Sequence, residues 1–344
     1  MFYGKGGAGM GQLIKLQDYV SRYDQDIFHY SSQFVRLKKQ QWSNLADAYE
    51  AGEIHMWTVG GENKEKDDIP DLQESKETWR DRIKQVFKRN KDHSEEIFQE
   101  LEKNMISPEQ DTMTIERFLK FPPKSLEDLK KQFLNQIFRF QLKWASSTIQ
   151  EKSMISAHYF LDEKLRFFLQ RFPDNHFVFY RPILQLKNAP VELEVIFLTP
   201  TELWCLTFLE AEEDAVFIGG KERFWTKKHH KKADKKVLNP FIALNREEKI
   251  TEQILKSQNI DFPIKTGVIC RNGYIDDPSA LNPEVILDKR SYPVWFEKMR
   301  NHRSPIKNQQ LKVAQALLIY CSTAYTQRLG SGEGKEEGHG ESGI

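Results

Sequence analysis

The 344 residues are 39% hydrophobic and 29% charged, with 51 Lys plus Arg set against 50 Asp plus Glu. That balance excludes a global field strong enough to draw the whole chain onto nucleic acid or an acidic membrane, so any such attraction must come from a local patch. At roughly 100–200 residues per domain the length suggests two domains, and no stretch approaches the ~20 consecutive apolar residues that a membrane span needs.

The opening MFYGKGGAGMGQ has no apolar run after its basic residue, so it does not read as a secretory leader. Gly4-Lys5-Gly6-Gly7-Ala8-Gly9 matches GxGxxG in letters only. A dinucleotide site needs a strand before those glycines, and too few residues precede Gly4 to form one. Residues 11–57 predict a pair of helices, from Leu13, Ile14, Leu16, Tyr19 and Val20 and then Phe34, Leu37, Trp42, Leu45 and Tyr49, with Ser31 and Ser32 as caps between them. Residues 58–76 are polar and Gly-containing and predict a flexible linker.

A helical region spans 77–147, stopped at Pro108 and at Pro122-Pro123. From 148 the pattern changes. A helix over 149–171 ends at Pro173, and short β-rich runs follow at 176–186, 191–198, 203–209, 215–218 and 223–226. Asn239-Pro240 opens a helix to 258, and 264–270 predicts a buried strand. Two helices, 292–301 and 307–329, close the fold, and the Gly- and charge-rich 330–344 predicts a disordered tail. Helix, consecutive strands, helix, strand describes an α/β sandwich with a mixed sheet, carried behind an all-helical N-terminal extension. Cys205, Cys270 and Cys321 stand in apolar runs without CxxC spacing, which fits buried thiols in a reducing, cytoplasmic setting.

Residues 148–272 carry a set of landmarks. They are a helix ending in Phe172-Pro173-Asp174, the hairpin ELEVIFLTPTELWCLTFL, the Gly219-Gly220…Trp225 segment and the Asn239-Pro240 helix start. In that order they resemble the nuclease-related domain (NERD) family of the PD-(D/E)xK nuclease superfamily, with 273–329 completing the domain. The resemblance implies a restriction-endonuclease-like sandwich in which two carboxylates on adjacent strands hold Mg²⁺ and a lysine orients water. It puts the first acid on Glu194 and the acid-x-Lys triplet on Thr207-Phe208-Leu209, so the triplet is degenerate.

The hairpin geometry agrees. A turn centred on Pro200-Thr201 sets Glu194 opposite Thr207, and opposed residues share a face. A bulge shifting the second strand by one residue would bring Glu210 or Glu212 beside Glu194, with Lys221 or Lys187 replacing the missing lysine. Only in that case would Glu194 be a metal ligand and Mg²⁺ a cofactor; otherwise neither metal nor cofactor is expected.

The densest charge feature is Lys227, Lys228, His229, His230, Lys231 and Lys232, continued by Lys235 and Lys236. It predicts a basic loop that contacts the phosphates of DNA or RNA, with Trp225 and Phe224 for stacking. The alternative is a solvated loop. Adjacent histidines rarely point together, so His229-His230 does not read as a metal pair. The function expected from these features is a non-catalytic nucleic-acid-associated or scaffolding protein whose N-terminal helices contact a protein partner or pack across the domain. The alternatives are a Mg²⁺-dependent DNA nuclease using Glu194 with Glu210 or Glu212, and a protein–protein interaction module. No membrane partner is expected.

Overall fold

The computed structural model describes residues 9–57, 119, 121–148, 151–186, 189–276, 286–323 and 327–328. The expected linker 58–76, most of the helical region 77–147, the tail 330–344 and Gly4 to Ala8 lie outside the described residues. The chain divides into two compact units, Met1–Lys39 with Ile137–Ile344, and Gln40–Gln136. Within the second, Trp42 packs on Phe133 with ring centres 5.2 Å apart.

Strand β1 is Gln12–Leu16, and helix α1 is Ile27–Glu50. Helix α2 is Leu126–Trp144, β2 is Glu151–Lys152 and helix α3 is Glu163–Arg171. Strands β3 (Phe177–Tyr180), β4 (Ile183–Gln185), β5 (Pro190–Glu192), β6 (Val195–Leu198) and β7 (Leu203–Phe208) follow. Then come β8 (Val216–Ile218), β9 (Phe224–His229), β10 (Lys232–Leu238) and helix α4 (Pro240–Ser257). Strands β11 (Ile264–Cys270), β12 (Tyr274–Asp276) and β13 (Ile286–Asp288) lead to α5 (Tyr292–Arg300), α6 (Asn308–Tyr320) and β14 (Gln327–Arg328).

The main sheet has six strands in the order β1-β3-β6-β7-β11-β13. β6 runs antiparallel to both its neighbours, β3 and β7, while β1 joins β3, β11 joins β7 and β13 joins β11 in parallel. The architecture is therefore mixed α/β, as the sequence pattern implies. A second sheet of four strands, β10-β9-β8-β12, stands beside it.

Four expectations need correction. The helix expected over 307–329 ends at Tyr320, and Gln327–Arg328 is a strand. Residues 12–16 are a strand, not the start of a helix: every side chain of Gln12–Leu16 is buried and the strand pairs with β3. A short apolar run fits either period, and burial on both faces favoured the strand. Ser31 and Ser32 lie inside α1 with their hydroxyls on the Phe28 carbonyl, and the Asp26 side chain caps the helix instead by accepting from the His29 N–H. The helix expected over 149–171 starts only at Glu163, because the Asp162 carboxylate takes the N–H groups of Lys164 and Leu165 and opens a new first turn.

Side-chain alternation gives the main sheet two faces. One is an aromatic layer beneath α3 and α5, where Phe172 and Phe168 lie 4.8 and 5.5 Å from Phe197, and Trp295 lies 5.8 Å from Trp204. Each of these buried rings contributes about 1.5–3 kcal/mol of burial. The other face takes α4, which buries Leu244, Ile254 and Leu255 and sets Thr251 Oγ1 3.7 Å from Cys205 Sγ.

Candidate functional site

The hairpin register is the one expected. Val195 pairs with Leu206 and Leu198 with Leu203, without a bulge, across a turn whose N–H groups at Thr201 and Glu202 donate to the Thr199 hydroxyl. The carboxylates therefore go to separate places. Glu194 accepts from the Phe208 N–H at 3.1 Å. Glu210 is held by the Arg271 guanidinium, including Nη2 at 2.9 Å. Glu212 bridges Lys227 and Lys232 at 2.5 and 2.7 Å, and those two hydrogen bonds hold its carboxyl well below the usual range. Lys221 is exposed in the bend between β8 and β9.

Among the described residues no group of three or more His, Cys, Asp or Glu is placed to hold a metal ion. The expected quartet of Glu194, Glu210, Glu212 and Lys221 is thus not brought together. Each glutamate already serves a protein donor, so this set does not fit a divalent cation that wants several oxygens at one point.

The carboxyl group that does approach Glu194 comes from α4. Glu247 Oε1 accepts the Glu194 N–H at 2.6 Å, and Glu247 Oε2 is buried with no partner among the described residues. Burial pushes the Glu247 carboxyl up to about 8, opposed by the hydrogen bond from Glu194. Its sequence signal was weak, since Glu247 stands next to Glu248 on a helix rich in charge, and only packing shows which of the two turns inward.

The expected basic loop is instead an antiparallel hairpin. Lys232 pairs with His229, and the ladder then slips at a bulge before Lys235 pairs with Lys227. Alternation sorts its residues onto two faces. Inward, Trp225 is fully buried, donates from Nε1 to the Gly220 carbonyl at 3.0 Å and lies 5.6 Å from Phe241. It lies so flat on Gly219 that a Cβ there would come within 2.0 Å of its ring, which explains the glycine. Trp225 is therefore a core residue and does not stack on bases. Lys227 also turns inward and is neutralised by Glu212.

Outward, Phe224 and Leu238 pair side by side, each 51% exposed, next to Lys228 and to Lys236, whose Nζ donates to Thr226 Oγ1. Arg223 places its guanidinium 5.5 Å from the Phe224 ring. His229, His230 and Lys231 form the tip, with the two imidazole rings 4.4 Å apart and the Lys231 N–H on His229 Nδ1. Lys235 is exposed.

No family model matches the chain, and no solved structure matches it. Over 138 residues, 40% of the chain, it is 31% identical to a protein of Geobacillus stearothermophilus named RNA 2',3'-cyclic phosphodiesterase. The matching segment spans 38% of that protein's length. This finding overturns the expectation of a non-catalytic, scaffolding protein, because the similar chain carries an enzyme's name. Among the described residues no helix is long and apolar enough to cross a membrane.

Proposed function

We propose that this chain is a phosphodiesterase acting on RNA, and that the outer face of the β9–β10 hairpin holds the strand. The observation that carries the reading is that face itself: a half-exposed aromatic ring, Phe224, flanked by Arg223, Lys228 and Lys236. Single strands are held by cations along their phosphates and by ring faces under their bases, and the hairpin offers both. The partial similarity to a protein named RNA 2',3'-cyclic phosphodiesterase supports RNA as substrate and phosphodiester cleavage as the reaction.

We also read the core Glu163–Cys270 as a nuclease-related, restriction-endonuclease-like sandwich. The sequence of helix, three antiparallel strands, helix and parallel strand supports it. The three free cysteines, two of them buried, support a cytoplasmic setting.

The test is to incubate the purified chain with an oligoribonucleotide ending in a 2',3'-cyclic phosphate, and with the DNA of the same sequence. The reading expects water to open the ring, with one P–O bond to the ribose broken and an open phosphate monoester left. It expects Lys228→Ala with Lys236→Ala to weaken RNA binding. An unchanged cyclic end, with enzyme in excess, rejects the reading.

A further inference from the structure

A cleft of about 610 Å³ opens between the first half of α1, the Pro173–Asn175 turn and the Arg300–Ile306 segment at the end of α5. A volume of roughly 300–1,000 Å³ is that of small-molecule sites. Three cationic side chains line the cleft, Lys39 on α1 and Arg300 and Arg303 on the facing segment. The carboxylate among its lining residues, Asp174, is bound at 2.7 Å by the buried Lys38. The walls therefore carry a positive excess, and a cleft of one sign of charge concentrates the opposite ion.

The wall is held in shape. Asn175 Nδ2 donates to the carbonyls of His302, at 2.9 Å, and of Ser304, while Gln310 Nε2 donates to the Asn175 carbonyl at 2.8 Å. His302 lines the cleft, with Nε2 against the Thr201 hydroxyl at 3.3 Å. Its Nδ1 is buried with no partner among the described residues. Behind it, with ring centres 5.8 Å apart, lies His176, whose Nε2 is also buried and unpartnered. Both nitrogens are closed off from solvent and His176 lies behind the lining, so the two imidazoles belong to the packed wall, and what the cleft offers a ligand is its cationic lining.

We propose that this cleft binds a phosphate ester of nucleotide size. Lys39, Arg300 and Arg303 take the phosphoryl oxygens, and Val35 and Ile306 supply apolar contact for the rest of the molecule. The phosphodiesterase reading enters only in the choice of ligand.

Isothermal titration with 2',3'-cyclic AMP, adenosine 3'-monophosphate, inorganic phosphate and adenosine tests it. Both nucleotides should bind, and adenosine at least about tenfold more weakly, which a lost charge-assisted contact is enough to cause. Lys39→Glu and Arg303→Glu reverse charges on exposed residues, so the melting temperature should hold while nucleotide affinity falls at least about tenfold. Absence of nucleotide binding at millimolar concentration overturns the proposal, as does equal affinity for adenosine or unchanged affinity in both variants. Nucleotide binding lost in the variants, with no RNA cleavage by the native chain, keeps the cleft and rejects the phosphodiesterase. Cleavage by a chain whose nucleotide affinity ignores both variants does the reverse.

Discussion

Glu247 and His176 are two buried ionisable side chains with opposite pH signatures. Burial raises the Glu247 carboxyl to about 8, so the folded state holds its proton more tightly than the unfolded chain does. Stability from this group is full below the ordinary carboxyl range and declines as pH rises through 8. Glu247→Gln keeps the oxygen that accepts the Glu194 N–H and removes the titration. Its melting temperature should therefore gain on the native chain between pH 5 and pH 9, and equal slopes across that range would sink the argument.

His176 runs the other way. Burial foremost, and then the neighbouring His302, lower it to about 3. Stability is full above the ordinary imidazole range and is lost as pH falls toward 3. His176→Phe keeps the stack on Phe197, whose ring centre lies 5.0 Å away, and should flatten the acid limb of a melting-temperature profile. At the same scale, Gly219→Ala drives a methyl into Trp225, and chemical denaturation should record a loss of about 1–3 kcal/mol.

At the scale of elements, the hairpin β9–β10 shows how pairing divides a charge run. Of the lysines that look equivalent in sequence, Lys227 is buried on Glu212, Lys232 shares that glutamate, and Lys228 and Lys236 face outward with Phe224. If RNA lies on the outer face, Lys228→Ala with Lys236→Ala should lower the slope of log affinity against log salt by about 1.4, from roughly 0.7 per contact on a single strand. Fluorescence anisotropy over a salt series checks this, and a slope matching the native one would place the RNA elsewhere. Lys227→Ala, by contrast, leaves Glu212 without its buried partner and should act on stability more than on the salt slope.

At the scale of the whole molecule, β1 is the least expected element. It lies at the start of the chain, yet it is entirely buried and pairs with β3 far along the sequence. Gln141 ties it down further, accepting the Leu13 N–H at 2.6 Å and donating to the Gly11 carbonyl at 2.7 Å. A chain beginning at Ile27 would expose the hydrogen-bonding edge of β3, and such edges recruit other chains. That truncation should elute as aggregate in size-exclusion chromatography; a monomeric, cooperatively melting product would show β1 to be dispensable.

What the sequence determined alone was whatever depends on near neighbours in the chain. The β6–β7 register follows from one turn and the two-residue alternation, and the start of α4 follows from Asn239-Pro240. The separation of Glu194 from a second strand carboxylate follows from the same register. Contacts between distant segments were decided only by the tertiary structure: β1 in the sheet, Glu247 beneath Glu194, and His302 against the buried His176 behind a cationic cleft. Each joins residues whose local patterns permit several outcomes. The choice among them is made by burial, which exists only once the chain has closed on itself.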